Sequence, residues 1–344
     1  MHTVAPEVNL RPHAELGEIH SWYRLGGELI ALAYIAVVAI FAVISGAAFV
    51  LFPELGALSH DVFTRPAGKW ASAPLLLIVT PVLTGAIGIC FTRLLPYGYL
   101  SVLLTVGGAV GSIILLKSPV APAISAGLLP LVIGVKSWWY PPSILISTAV
   151  LAVLSVLWQR FVLPRTARSE PPGEALSAKA PATPRGYFWL PALFVFILFA
   201  VTMVKLTGLR FILFPPLVVI GFEMLRDTTH CPWAHRPLSL PIACFLAAAS
   251  GLLCFKLMGE GPLTAACAML CGILVLRVLD LHMPPVLAVA LLPLVMNSPG
   301  IGYPVAVGIG TLLMALWFML LQRLKVEFGQ ATGASDLMDG QASL

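Results

Sequence analysis

The chain has few charged residues. Asp, Glu, Lys and Arg make up only 10% of its 344 residues, whereas 59% are hydrophobic and the mean hydropathy is +0.96. A soluble domain carries about 25% charged residues, so this composition excludes an ordinary soluble domain and predicts an integral membrane protein. The formal net charge of +5 then indicates membrane orientation and contact with lipid headgroups, not binding of nucleic acid.

Several chemical motifs are also missing. No GxxxxGK[ST] motif occurs, which excludes ATP-powered transport by this chain itself. No HExxH or comparable set of acids and histidines lies in the apolar runs, so we predict no enzyme activity, no catalytic residue and no cofactor. His230, Cys231 and His235 lack a fourth ligand at a recognised zinc spacing, and we predict no metal site. The six cysteines lie mostly in apolar segments, which favours buried thiols over disulfides.

Runs without Asp, Glu, Lys or Arg indicate the membrane segments, since a spanning helix needs about 20 apolar residues. The last run, 281–322, is too long for one helix and is broken at Asn297-Ser298-Pro299-Gly300. Residues 284–296 would form a helix of roughly 20 Å, shorter than the ~30 Å hydrocarbon core, which predicts a half-helix or a re-entrant segment. The runs are 29–53, 70–92, 94–116, 118–135 and 137–159, then 186–204, 211–222, 237–255, 261–276 and 281–322.

These runs predict an all-α, polytopic transmembrane helical bundle. Its parts would be a polar N-terminal segment (1–28), a first transmembrane repeat (29–159), a linker (160–186), a second transmembrane repeat (187–324) and a flexible C-terminal tail (325–344). The N-terminal segment is too polar for a cleavable signal peptide. The linker is richer in Lys and Arg than either terminus, which predicts that it is cytoplasmic. We expect the protein to lie in a bacterial inner membrane, in contact with the lipid bilayer.

The two halves of the chain resemble each other. At a shift of 163 residues, PAISAGLLPLV (122–132) aligns with PVLAVALLPLV (285–295), and at a shift of 162, LFPEL (51–55) aligns with LFPPL (213–217). We therefore predict two homologous repeats of about five segments each, with a short proline-started half-helix in each repeat. Matching proline-broken segments are typical of transporters with a site at the repeat interface. Five crossings in each half would make the repeats inverted and four would make them parallel; the weakly basic termini favour inverted repeats.

Three segments of the second half carry a family resemblance. LFPPLVVIGFEML (213–225), CPWAHRPLSLPIACFLAAASGLL (231–253) and HMPPVLAVALLPLV (282–295) resemble the HPP family of membrane proteins, named for a His-Pro-Pro motif that opens a helix of small residues. In this chain Met283 stands between the histidine and the two prolines, and the chain has two such units where most members have one. The resemblance implies a transporter-like role, and nitrite transport is linked to some plant and cyanobacterial members.

The prolines and a histidine are the candidate substrate-binding residues. A proline is tolerated in the first helical turn, so short helices would begin inside the membrane, where free N–H groups and the positive dipole end can bind an anion. The alternative is that these prolines only kink packed helices. His282 would hydrogen-bond the substrate or carry a proton, or it would simply cap a helix. The candidates are Pro122, Pro215, Pro216, His282, Pro284 and Pro285.

Four charged residues are candidates for proton or charge coupling. Asp280 aligns with Lys117, so the two would form an ion pair between the repeats, or each would reach the membrane surface. Glu223 aligns with Asp61, and both would carry protons in anion–proton symport or act only as structural groups.

The predicted function is a transporter or channel for a small solute, with an inorganic anion such as nitrite as the favoured substrate and a site at the repeat interface. A membrane-embedded enzyme and an accessory membrane subunit without transport activity are the alternatives. The coupling ion stays open, as does assembly into a homo-oligomer.

Overall fold

In the computed structural model of the protein, residues 11–162, 188–229 and 231–341 are described, with side chains between residues 23 and 324 of these ranges. Most of the predicted linker and His230 lie outside the described residues, which form twelve α-helices and contain no β-strand. The all-helical prediction is confirmed. The helices are α1 (Arg11–Ser45), α2 (Glu54–Thr64), α3 (Pro74–Leu94), α4 (Tyr99–Leu115), α5 (Ala123–Ile133), α6 (Tyr140–Val162), α7 (Trp189–Thr207), α8 (Pro215–Arg226), α9 (Ser239–Met258), α10 (Pro262–Val278), α11 (Pro285–Leu291) and α12 (Gly302–Gln341).

Six of these helices are long and apolar enough to cross a membrane. Large hydrophobic side chains such as Leu75 on α3, Phe161 on α6 and Leu206 on α7 point outward and are more than two-thirds exposed. In water such a surface would be unfavourable, whereas in a bilayer it contacts acyl chains. The protein is therefore an integral membrane protein. The spanning segments are Tyr23–Ser45, Pro74–Leu94, Tyr140–Val162, Trp189–Thr207, Ser239–Met258 and Gly302–Leu324.

Each half contains six helices, α1–α6 and α7–α12, where about five segments were predicted. The helix that the apolar runs did not reveal is α2. Its Glu54 and Asp61 interrupt the hydrophobic pattern, yet every residue from Glu54 to Phe63 is buried. A search for uncharged runs passes over such a helix because it carries its charged groups inside the protein.

The two halves have corresponding geometry. Helices α4 and α10 begin and end 163 residues apart, at Tyr99–Leu115 and Pro262–Val278. The Tyr140 hydroxyl donates a hydrogen bond to the Ala126 carbonyl oxygen at 2.8 Å, and the Tyr303 hydroxyl donates one to the Val289 carbonyl oxygen at 2.6 Å. These pairs of residues are also 163 positions apart. The correspondences support duplication, and common ancestry of the halves stays a prediction.

Both halves run in the same direction through the bundle. We call the end where α6 ends and α7 begins the linker end, and the opposite end the far end. At the linker end, the Trp158 indole of α6 donates to the Phe63 carbonyl oxygen, which lies against Gly27 near the start of α1. At the same end, Gln159 of α6 donates to the carbonyl oxygen of Ala71, two residues after Lys69, which pairs with Glu223. The neighbouring Phe222 packs against Trp189, the first residue of α7, with ring centroids 5.3 Å apart, so α7 begins there too.

Helices α1 and α7 therefore both begin at the linker end, and the halves are parallel. The preference for inverted repeats was wrong. The halves are parallel because each contains two short helices that cover only part of the bundle's length. These are α2 and α5 in the first half, and α8 and α11 in the second. The apolar runs left five and four crossings open because they did not reveal α2, and the preference came from the weakly basic termini alone.

The four short helices form the centre of the bundle. The described residues of α5 from Ala123 to Val132 and all of α11 are buried, as is almost all of α2 and α8. Helix α3 packs on α5 and α9 packs on α11, while α2 packs on α11 and α8 on α5 across the two halves. The predicted proline-started half-helices are thus part of a set of four, and they lie where the halves meet.

Candidate functional site

The starts of the four short helices surround a small central cavity with a volume of about 10 Å³, close to the space that one water molecule needs. Each helix contributes two residues that are three positions apart, so that one helical turn faces the cavity. The cavity lies between the two halves, and its wall has corresponding positions from each. The lining residues are Glu54 and Ala57 of α2, Pro122 and Ser125 of α5, Pro216 and Val219 of α8, and Pro285 and Ala288 of α11.

Proline explains how these helices can begin inside the protein. Each starts at a proline: Pro53 and Pro122 precede α2 and α5, Pro215 is the first residue of α8, and Pro284 precedes α11. A helix start leaves N–H groups unpaired, and an apolar interior offers them no water. Because proline has no N–H, it removes one of these donors at each start. Of the predicted prolines, Pro122, Pro216 and Pro285 line the cavity, and Pro215 and Pro284 lie directly before the last two.

The amides that follow the prolines are not free. The N–H groups of Ala123 and Ile124 in α5 donate to carbonyl oxygens of the preceding turn, as do those of Val286 and Leu287 in α11. The expectation of free N–H groups at these helix starts was wrong, because a tight turn before each helix uses them. What is left for the cavity is the positive end of each helix dipole.

Glu54 and Ser125 carry the polar side chains of the cavity wall. The Glu54 side chain is buried, with 1% of the residue exposed, and its Oε1 accepts a hydrogen bond from the Ser125 hydroxyl. Its other oxygen, Oε2, has no hydrogen-bond partner among the described residues. A carboxylate that is buried without full hydrogen bonding is costly. Glu54 is therefore an ionisable group in the cavity wall whose hydrogen bonding is incomplete.

Sequence reasoning missed both of these residues. The signal was present in the aligned pair LFPEL and LFPPL, where Glu54 stands opposite Pro216, and in the aligned half-helices, where Ser125 stands opposite Ala288. The second half has a proline where the first has this acid, so the fold does not need a charge at this position. An acid there is therefore a candidate for a functional role. The polar chemistry of the cavity thus comes from the first half only.

A second polar cluster joins the halves at the linker end. Asp61 is fully buried and its Oδ1 accepts hydrogen bonds from the Arg65 guanidinium, with Nε at 2.9 Å. The same oxygen lies 3.3 Å from Nε2 of His282, whose side chain is 28% exposed. Asp61 and His282 were predicted as separate candidates, and the fold brings them into contact although they are 221 residues apart.

Glu28 lies beside this cluster. It is bonded to the Arg277 guanidinium, and Arg24 lies 3.5 Å away. His60 has its Nε2 at 4.0 Å from Glu28, and its ring centroid is 6.4 Å from that of His282. The Nδ1 of His60 is buried without a partner in the described part of the chain. These groups connect α1 and α2 to α10 and to the segment before α11.

The other predicted charged residues lie away from the cavity. Glu223 forms an ion pair with Lys69, N to O 2.8 Å, and the Lys69 side chain is 53% exposed. Lys117 and Asp280 are both exposed, and each has a φ of 49°, the left-handed conformation that ends α4 and α10 in the same way. No ion pair joins Lys117 to Asp280 within the described residues, so the predicted interrepeat pair is not formed.

At the far end, the halves contact each other through cations and neutral groups. The Arg210 guanidinium lies 4.5 Å from the centre of the Tyr97 ring and donates to the Leu131 carbonyl oxygen at 2.8 Å. Burial raises the pKa of the Tyr97 phenol to about 12, and the charge of Arg210 opposes part of this rise. The linker end is therefore held by ion pairs, and the far end by hydrogen bonds and cation–π contacts.

Comparisons with protein-family models, with curated protein sequences and with solved structures each find no match. The resemblance to the HPP family therefore stays a prediction from three motifs. The site is interpreted from its own geometry: a small cavity at the centre of a membrane bundle, four helix starts directed at it, and one ionisable side chain in its wall.

Proposed function

We propose that the protein is a secondary transporter that carries a small inorganic anion together with a proton through the central cavity. The observation that carries the proposal is Glu54, a buried carboxyl group with one unpartnered oxygen in a cavity surrounded by helix starts. Six membrane-spanning helices around this cavity are compatible with a transporter or channel. The chain has no ATP-binding motif, so the energy would come from ion gradients.

The coupling follows from electrostatics. Each helix start carries the equivalent of about half a positive charge, so the starts of α2, α5 and α8 together favour a negative charge in the cavity. That charge is either the Glu54 carboxylate or a bound anion. Two negative charges about 4 Å apart repel by roughly 4 kcal/mol at an effective dielectric constant near 20. An anion therefore binds well only when Glu54 is protonated, and anion and proton cross together.

The arrangement of the halves supports alternating access. Transporters built from parallel repeats move one half against the other around a central site. Here the two halves meet at the cavity, and different sets of contacts join them at the two ends. Opening the linker end would separate ion pairs such as Lys69–Glu223 and Glu28–Arg277, which water can solvate as they part.

We propose that the linker end faces the cytoplasm of a bacterial cell. Basic residues are more numerous there than at the far end, as the positive-inside tendency requires of the cytoplasmic side. At the linker end these are Arg24, Arg65, Lys69, Lys117, Arg160, Arg226, Arg236, Arg277 and Arg323, and at the far end they are Arg93, Lys136, Lys205, Arg210 and Lys256. Nitrite as the substrate is implied by the family resemblance alone.

The test is uptake by purified protein in liposomes. Nitrate is the best first probe, because it has no membrane-permeant acid form at neutral pH; nitrite, chloride, sodium and potassium follow. We expect nitrate uptake when the outside is made acidic, together with acidification of the lumen. If none of these ions is taken up faster than by protein-free liposomes, the proposal is overturned. Selective uptake of sodium or potassium would also overturn it, because the substrate would then be a cation bound by Glu54.

A further inference from the structure

We propose that His282 and Asp61 conduct protons from the linker end to Glu54. The inference rests on the proposed proton coupling and adds to it a route that differs from the path of the anion. His282 is the outer group of this route, Asp61 the intermediate group, and Glu54 the inner group.

Glu54 and Asp61 lie on the same face of α2. They are seven positions apart, which is close to two full helical turns, so the two side chains project in nearly the same direction. Their separation along the helix axis is about 10 Å at 1.5 Å per residue. Ala57 and Leu58 lie between them on this face: Ala57 lines the cavity with a single methyl group, and the Leu58 side chain is fully buried.

Each of the two carboxyl groups has one unpartnered oxygen. Glu54 Oε2 and Asp61 Oδ2 are both buried without a hydrogen-bond partner among the described residues. Buried polar atoms in proteins are almost always paired, with water where no protein group is available. Water that enters beside Ala57 would bond these oxygens and pass protons between the two carboxyl groups.

His282 provides the contact with solvent. Its side chain is 28% exposed while its Nε2 lies 3.3 Å from Asp61 Oδ1. An imidazole ring can both accept and donate a proton. In the transfer, the imidazolium of His282 gives its Nε2 proton to the Asp61 carboxylate and becomes a neutral imidazole. Asp61 then passes a proton through water to the Glu54 carboxylate and returns to its ionised form.

The surrounding charges allow Asp61 to act as an intermediate. Arg65 from the end of α2 bonds the carboxylate and favours its ionised form, so a proton does not remain there. From α1 and α10, Arg24 and Arg277 are paired with Glu28, and His60 of α2 lies between Glu28 and His282. The fixed charges near the route are thus paired among themselves.

The second half offers a matched control. At the positions that correspond to Glu54 and Ala57, it has Pro216 and Val219, which cannot carry a proton. Glu223 corresponds to Asp61, but it is paired with Lys69 and has no second acid on its helix face. Asp61→Asn and Glu223→Gln therefore remove equivalent carboxylates, one inside the proposed route and one outside it.

The experiment uses the full chain in liposomes with nitrate and an internal pH dye. A second measurement is nitrate exchange at equal pH on both sides, which needs no net proton movement and shows that the protein is folded. We expect Asp61→Asn and His282→Gln to keep exchange but to slow proton-coupled uptake about 100-fold, the usual contribution of a positioned proton-transfer group. Glu223→Gln removes the ion pair with Lys69 and can change both rates, but it should keep the wild-type ratio of coupled uptake to exchange.

The outcomes separate the route from the function. If the wild type shows no coupled uptake, the proposed function fails and the route with it. If the wild type is coupled and both Asp61→Asn and His282→Gln acidify the lumen at its rate, only the route is refuted. Should Asp61→Asn not fold, His282→Gln decides alone, because its partly exposed side chain is less needed for packing.

Discussion

Substitution of Glu54 by glutamine separates the proton from the anion. Glutamine has nearly the same shape and keeps an oxygen that can accept the hydrogen bond from Ser125, but it cannot ionise. Like the carboxyl group, the amide leaves one buried polar group without a partner, so the unfolding free energy should change by no more than about 1 kcal/mol. The variant is therefore expected to be folded and to resemble the protonated state of the wild type.

The expected effect on transport can be worked out from the coupling. One pH unit across the membrane is worth about 1.4 kcal/mol per proton, so cotransport of one proton with one anion accumulates nitrate about tenfold per pH unit. Glu54→Gln carries no proton with the anion and should therefore accumulate no nitrate. Nitrate exchange at equal pH should continue. The assay is nitrate uptake by liposomes with the outside one pH unit more acidic than the inside.

Ser125→Ala is the control for this substitution. It leaves the acid in the cavity but removes the hydroxyl that donates to it, which should lower the unfolding free energy by about 1–3 kcal/mol. Coupling should persist, because Glu54 still titrates. If Glu54→Gln accumulates nitrate as the wild type does, Glu54 is not the proton carrier and the electrostatic reasoning is refuted.

Further predictions concern packing, the ion pairs and orientation. Gly88→Val should lower the unfolding free energy by about 3 kcal/mol, because a Cβ there would lie 2.0 Å from the Gly127 carbonyl oxygen; Gly111→Ala, with open space around it, is the control in thermal unfolding. Reversing the charge of Lys69 or of Glu223 alone should lower the unfolding free energy by about 1 kcal/mol or less, as for other partly exposed pairs. Exchanging both charges together should restore it. Equal thermal stability of all three variants would show that the pair contributes nothing. A cysteine at the exposed Lys136 should react with an impermeant maleimide on intact cells, and labelling only after lysis would reverse the proposed orientation.

The membrane class and most of the spanning helices could be predicted from the sequence because a single physical requirement, a long apolar run, defines them. The proline-started half-helices were also predictable, since a helix that begins in lipid or in an apolar core needs few free donors. Their number was not. Helix α2 carries Glu54 and Asp61. An acid interrupts an apolar run in the same way whether it is buried or lies at the membrane surface, so the run did not reveal α2.

The contacts of the site depend on distances along the chain that local patterns do not reveal. Ser125 reaches Glu54 across 71 residues, and His282 reaches Asp61 across 221. The relative direction of the two halves depended on α2, a short helix that the apolar runs do not reveal. The hydrogen bonding of the first-turn amides depended on the turns before each proline, which have no clear signature in the sequence.

The most direct test of the proposed mechanism is the ratio of protons to anions carried by the wild-type protein. It is measured in liposomes by imposing opposing gradients of pH and nitrate and finding the point at which net nitrate flux reverses. The mechanism predicts reversal when a tenfold nitrate gradient opposes about one pH unit, one proton per anion. Nitrate flux that ignores the pH gradient, or no flux above that of protein-free liposomes, would contradict it.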